Sequence, residues 1–339
     1  MPVRAKPRLL VLAPRTLFES FFDGPRQRRL GRSFQWSRRR ERTLTSGLVR
    51  ALAEVEALVT TWDSPRLDED LVRMAPRLRM IGHCGGEVKG RFDVPLLRRL
   101  VITNAAAPMA RPVAELAAAF LLYAAREVDL YREALRRGAD GVYARLHREG
   151  AGEETLRGRT VGLLGFGRIG RALARLLAPF GPRLLVHDPF VPAAEVRRGG
   201  AVPAAWREVL RRSRDLVLAA ALTDRTRGLV DARALALLPD GATVINVARG
   251  GLVDLGALTR EVRAGRLRCA LDVTDPEEPL PPRHPLRRAR GAILTPHVGA
   301  ALGSVRREMA DAVLGDLERF FRGREVRNRV SAPMLRRMT

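Results

Sequence analysis

The chain has 339 residues, 46% of them hydrophobic, and a formal net charge of +24. That length admits two domains with separate cores, and no apolar run reaches the ~18–20 residues of a membrane span. So basic a chain would attract nucleic acid, yet its cations are almost all arginines spread along the whole sequence, with Lys6 and Lys89 the two lysines.

The densest basic run, Arg26 to Arg42, matches no nucleic-acid module. An excess of arginine, alanine, glycine and proline with lysine nearly absent is the mark of a GC-rich coding sequence. No specific nucleic-acid partner is expected. Cys84 and Cys269 stand far apart without metal-ligand spacing, so no metal site and a cytoplasmic protein with free thiols are expected.

In chain order, the short apolar run of Met1–Ala13, followed by Pro14-Arg15, fits a first β-strand at 8–13 better than a signal peptide. Thr45 to Leu58 reads as a helix running into a strand at 57–60, and Leu67 to Met74 as a short helix. A strand follows at 78–81, a helix at 92–99 and a strand at 100–103. This alternation predicts a small parallel α/β domain. Arg111 to about Arg137 reads as one long helix with Pro112 in its first turn. Its apolar residues surround the axis, which predicts burial between domains or against a second subunit.

A second alternation runs from Gly158 to about Arg290, with strands expected at 160–164, 183–187, 215–219, 242–247, 268–273 and 291–295. It opens on Thr160-Val-Gly-Leu-Leu, a buried strand leading into Gly165-Phe-Gly-Arg-Ile-Gly170 and a helix. In such a turn the first glycine permits the bend and the second lets backbone approach a pyrophosphate. The third lets helix pack on strand, and the phosphates sit at the helix N-terminus. The next strand ends at Asp188, eighteen residues beyond Gly170, where a carboxylate bonds the adenosine ribose hydroxyls. Asp188 would repel a 2′-phosphate, and Pro189-Phe-Val-Pro192 offers no arginine to receive one, so NAD is expected over NADP. A dinucleotide domain that begins mid-chain implies that the N-terminal domain forms the other half of a cleft. Ser304 to Arg322 reads as an amphipathic helix leading to a short tail.

Three further side chains follow strands: Arg249, Glu278 and His297. In an open α/β sheet, ligands lie beyond the carboxyl ends of the strands. Reducing a 2-keto acid needs a cation for the carboxylate and an acid for the carbonyl oxygen as hydride arrives. Arginine offers a planar fork for a carboxylate, and histidine titrates near neutrality, with a nearby glutamate favouring its imidazolium. His147, His187 and His284 have no partner motif and are expected to be structural or exposed.

Four blocks in order resemble the D-isomer-specific 2-hydroxyacid dehydrogenase family over nearly the whole chain. They are Gly165–Gly170, Asn246-Val-Ala-Arg-Gly-Gly-Leu-Val-Asp254, Leu271-Asp-Val…Glu278-Pro-Leu and Pro296-His-Val-Gly-Ala300. Asn104…Arg111-Pro-Val-Ala-Glu115 resembles the family's interdomain and dimerisation helix. The resemblance implies a Rossmann dinucleotide-binding domain, about 109–303, inserted into a smaller flavodoxin-like α/β substrate domain of 1–108 and 304–339. It implies Arg249, Glu278 and His297 as the catalytic set, and Gly165, Gly167, Arg168, Ile169, Gly170, Asp188, Val247, Ala248 and Asp272 as contacts of NAD. It also implies a 2-keto or 2-hydroxy acid substrate and a homodimer. A scaffold resembling the C-terminal-binding-protein corepressors is the alternative from another class.

Two departures concern the substrate. The family's Gly-x-Gly substrate loop corresponds here to Cys84-Gly85-Gly86-Glu87-Val88, with Gly85, Gly86, Glu87 and Arg249 as the expected substrate contacts. Val88 stands where the second glycine would fall, and Glu87 faces an anionic substrate unless it meets a polar or cationic tail or points away. By this alignment His83 and Cys84 face the cleft and shape it. The family's His-x-Pro-Leu-Thr stretch is replaced by Ala219-Ala-Ala-Leu-Thr223.

Overall fold

Strands buried on both faces must be apolar throughout and lie parallel between layers of helices. The computed structural model describes residues 5–138, 141, 147–149 and 155–337. Met1–Arg4, at the head of the N-terminal run, lie outside them. The chain divides into two compact units, one of Met1–Met109 with Ala300–Thr339, the other of Ala110–Gly299.

The first unit holds a five-stranded sheet of β1 (Arg8–Leu12), β2 (Gln35–Arg39), β3 (Ala57–Thr60), β4 (Met80–His83) and β5 (Val101–Asn104). Its order is β2-β1-β3-β4-β5 with every pairing parallel, the flavodoxin-like arrangement. Successive side chains point to opposite faces. Leu9, Val11, Ala57 and Val59 therefore join one core with Phe18, Phe21 and Phe22 and with Val313 and Leu317 of the helix Gly303–Phe321. Leu10, Leu12, Leu58 and Ile81 join the other with Leu48, Leu52 and Leu96. That last long helix lies so near β4 that a Cβ on Gly82 would come within 2.5 Å of Val313.

The second unit holds a seven-stranded sheet. Its strands are β6 (Thr160–Leu164), β7 (Arg183–His187), β8 (Val202–Pro203), β9 (Asp215–Leu218), β10 (Thr243–Asn246), β11 (Arg268–Leu271) and β12 (Ala292–Leu294). The order β12-β11-β10-β9-β6-β7-β8, again all parallel, is the Rossmann order with one strand added at the β12 edge. The order reverses beside β6. Just before β6, Arg159 forms a fully buried ion pair with Asp215 at the start of β9, Nε to Oδ2 at 2.5 Å.

Local departures from the sequence expectations have physical causes. The Arg26–Arg42 run lies between the strand at 8–13 and Thr45, a stretch for which the sequence suggests no particular element. It contributes most of the helix Gly24–Ser33, which buries Leu30, and all of edge strand β2. The two-residue β8 is too short to show any period.

The expected single helix to Arg137 is two, Ala106–Ala125 and Val128–Arg136. It breaks at Glu127, which takes a left-handed φ of 49° and pairs with Arg268. Among the described residues no helix is long and apolar enough to cross a membrane.

Candidate active site

At the end of β6, Gly165 has a φ of 95°, and a Cβ there would lie 2.7 Å from Ala220 beyond β9. Only glycine fits. A Cβ on Gly170 would come within 2.5 Å of the Gly165 carbonyl, so the helix Arg168–Leu177 packs hard on the turn. Gly167 differs: a Cβ there would meet nothing within 4 Å. Its backbone fronts open space at the N-terminus of that helix, where no side chain caps the first turn. The first amides of a helix have no intrahelical acceptor.

Asp188 follows β7 and is tied to the glycine turn. Its Oδ2 accepts the Phe166 amide at 2.7 Å and Oδ1 the Phe190 amide at 2.9 Å. Each oxygen keeps lone pairs for a further donor. Arg168 is exposed and Ile169 half-buried, both in the first turn of the helix.

The ends of β10, β11 and β12, adjacent in the sheet, carry the other candidates. Asn246, 1% exposed, closes β10. Its amide group donates to the Arg249 carbonyl at 2.8 Å, and its Oδ1 accepts the Ala248 amide at 3.1 Å, so one side chain shapes the whole turn. Val247 and Ala248 are buried in that turn, and Arg249 is half-buried with Nη1 on the Ala248 carbonyl at 2.8 Å. A Cβ on Gly250 would sit 2.1 Å from the Thr274 carbonyl carbon, so the β10 and β11 loops touch through this glycine. The Thr274 amide then donates to Glu278 Oε2 at 3.2 Å, and Glu278 Oε1 pairs with His297 Nδ1. Arg249, Glu278 and His297 thus stand on three interlocked loops.

His297 has a φ of 55°, rare for a side-chain-bearing residue. Asp272 surrounds it. The Asp272 carbonyl accepts the His297 amide at 2.8 Å. Its Oδ1 accepts Thr295 Oγ1 at 2.6 Å and the Val298 amide at 2.8 Å, and Oδ2 the Gly299 amide at 2.9 Å. Asn246, Thr274 and Thr295 were given no role from sequence. Polar residues just past apolar strands were the only signal they offered.

Gly85, Gly86 and Glu87 belong to the other unit, beyond the carboxyl end of β4. Asn104 Nδ2 donates to the Gly86 carbonyl at 2.9 Å, and a Cβ on Gly85 would strike His83. The Glu87 carboxylate folds back over Gly90, 2.8 Å from where a Cβ there would lie. Val88 is fully buried in the core.

The reading of His83 and Cys84 as cleft-facing is corrected, since both are wholly buried. His83 Nδ1 bonds Thr60 Oγ1 at 2.9 Å, and burial, with Arg91 nearby, pushes its pKa down to about 3. Burial pushes the Cys84 thiol up. Of the remaining histidines, His187 contacts the Ala204 carbonyl and Trp206, and His284 accepts the Leu286 amide.

Residues 118–299 match the family model described as the D-isomer specific 2-hydroxyacid dehydrogenase, NAD binding domain. The chain is 34% identical over 291 residues to a glyoxylate reductase of Aeropyrum pernix, covering 84% of this chain and 85% of that one. It is 29% identical to a D-3-phosphoglycerate dehydrogenase of Archaeoglobus fulgidus, covering 85% of this chain but only 54% of that longer one. A solved NADPH-dependent glyoxylate/hydroxypyruvate reductase from Sinorhizobium meliloti superposes with a TM-score of 0.75 at 28% identity. It covers 97% of this chain and 99% of its own.

Proposed function

Because the chain belongs to the D-isomer specific 2-hydroxyacid dehydrogenase family, we propose that it interconverts a small 2-keto acid and its D-2-hydroxy acid through Arg249, Glu278 and His297. It is an NAD-dependent oxidoreductase with a Rossmann domain. The observation that carries the residue assignment is the Glu278–His297 pair, locked through Thr274 to the loop of Arg249.

The fit to a dinucleotide rests on Gly167, whose missing Cβ leaves open space before an uncapped helix N-terminus, and on Asp188 beside it. The pyrophosphate would lie against the backbone at Gly167, Arg168 and Ile169, and the adenosine ribose against Asp188. When bound, the cofactor supplies or accepts a hydride at its nicotinamide ring. In reduction, His297 gives a proton from Nε2 to the carbonyl oxygen; in oxidation it takes that proton back. Glu278 at Nδ1 fixes the ring orientation and compensates the charge of the imidazolium. Among the described residues the Arg249 guanidinium is engaged only through Nη1 on the Ala248 carbonyl, and the rest of its fork clamps the substrate carboxylate. Gly85 and Gly86 are the backbone contacts that the family resemblance implies for the substrate, and the Glu87 carboxylate beside them is folded onto its own loop at Gly90.

A C2 homodimer built on the helices from Ala106 to Arg136 and a cytoplasmic location complete the reading. The buried free thiols of Cys84 and Cys269 support the latter.

The test is His297→Asn. Turnover is expected to fall by roughly 10²–10⁴, with NADH affinity by fluorescence titration unchanged. Wild-type turnover in that variant would sink the assignment. Arg249→Lys should raise the KM for the keto acid, since a point charge cannot replace the fork. A panel of 2-keto acids followed by NADH absorbance identifies the substrate.

A further inference from the structure

A cavity of about 690 Å³ opens at the amino edge of the five-stranded sheet, within the unit of Met1–Met109 and Ala300–Thr339. Lys6 precedes β1, Glu56 precedes β3 and Arg79 precedes β4. The helices Gly24–Ser33 and Gly303–Phe321 supply the rest of its wall. The Gly85–Glu87 loop follows β4, so this cavity lies at the opposite end of that strand.

Its lining is unequal in charge. Lys6, Arg29, Arg32, Arg79 and Arg322 face only Glu56 and Glu318. Glu318 is already engaged: Oε1 accepts Arg29 Nε at 2.9 Å and Ser33 Oγ at 3.0 Å, and Oε2 accepts Arg29 Nη2 at 2.8 Å. Among the described residues, Lys6, Arg32, Arg79 and Arg322 have no carboxylate within ion-pair distance.

Two of these cations are nevertheless held in place. The Arg79 guanidinium lies over the rings of Phe320 and Phe321, 5.2 and 5.6 Å from their centroids. Aromatic faces orient it without consuming its N–H edges. Lys6 Nζ donates once, to the Gly31 carbonyl at 2.7 Å, and keeps two donors. All four are solvent-exposed, but cations scattered by codon bias would sit singly and not line one space. Here four converge on a space of the size that holds small molecules.

We propose that this cavity binds a small phosphate monoester, separate from the dinucleotide site. Arg79, Arg322, Arg32 and Lys6 hold its oxyanion, and its organic part occupies the rest of the cavity. A guanidinium fork matches two phosphate oxygens, and each charge-assisted bond is among the strong ones.

The experiment is calorimetric titration of the full chain, saturated with NAD, with phenyl phosphate. Saturable binding is expected, weakened roughly tenfold or more in Arg79→Gln and similarly in Arg322→Gln. In Arg40→Gln, which removes an exposed arginine outside the cavity, binding should be unchanged. Arg79 also covers two phenylalanines, so Arg322→Gln, at an exposed residue, is the arm that does not disturb packing. Absence of saturable binding, or affinity in both cavity variants equal to that of the unsubstituted chain, would overturn the proposal. So would loss of binding in Arg249→Lys alone, which would assign the ligand to the substrate site.

Discussion

Asp272 is 2% exposed, and its two carboxylate oxygens accept three protein donors, from Thr295, Val298 and Gly299. A group so engaged holds a loop in shape, and the loop carries His297. Left-handed backbone at a residue other than glycine costs about 1–3 kcal/mol and persists only where the surroundings enforce it. The His297 amide bond to the Asp272 carbonyl and the two amide bonds to its carboxylate are that enforcement. Asp272→Asn replaces an acceptor oxygen by a donor facing amides. It should lower stability by about 1–3 kcal/mol and reduce kcat, with the Kd for NADH changed little. A variant with normal kcat and an unchanged melting temperature would show that the loop holds itself. A change confined to NADH affinity would instead favour the cofactor contact that the family resemblance implies.

The strand–turn–helix from Thr160 to Leu177 acts as one element in which the three glycines serve different ends. A Cβ on Gly170 or Gly165 would lie 2.5 or 2.7 Å from backbone atoms, whereas one on Gly167 would meet nothing among the described residues. Gly170→Ala should therefore destabilise the fold, read as a lowered Tm. Gly167→Ala should melt like the parent yet bind NADH more weakly, because its methyl group enters the space kept for the pyrophosphate. Equal NADH affinity in Gly167→Ala would refute that use of the space. Asp188 belongs to the same element through Phe166. The protein should prefer NADH to NADPH, and Asp188→Ala should narrow the difference. A wild-type preference for NADPH, the cofactor in the name of the Sinorhizobium meliloti relative, would mean that this carboxylate does not set the choice.

For the molecule as a whole, the proposed dimer rests on apolar surface that one chain leaves uncovered. On the helix Val128–Arg136, Leu130 is 39% and Leu135 61% exposed, and on the preceding helix Leu116 and Leu122 are only half-buried. Two copies of such a patch set face to face close with two-fold symmetry. Light scattering at micromolar concentration should give twice the mass of the chain, and a monomer would refute the interface. The +24 charge belongs to the same scale. DNA binding should be weak, indifferent to sequence and abolished by moderate salt, as for unspecific phosphate contacts. Tight binding to one sequence at physiological salt would contradict the codon-bias reading of the arginines.

The glycine turn, Asp188 at its set spacing, and Arg249, Glu278 and His297 past strand ends were legible because each depends on local chain geometry. A turn needs glycine where φ is positive, and an apolar run of five residues has little choice but a buried strand. The amphipathic helix from Gly303 was legible for the same reason. What depended on contacts between distant residues was not. The helix Ala106–Ala125 ends just before Glu127, which takes a left-handed backbone and pairs with Arg268, more than 140 residues later. Edge strand β2, rich in arginine and half exposed, has no apolar period and exists because β1 offers it a hydrogen-bonding edge. His83 and Cys84 stand beside a substrate-loop motif, but packing turns both inward. The joining of Arg249 to His297 through Gly250, Thr274 and Glu278 arises only when β10, β11 and β12 lie side by side, and strand order is a property of the folded sheet.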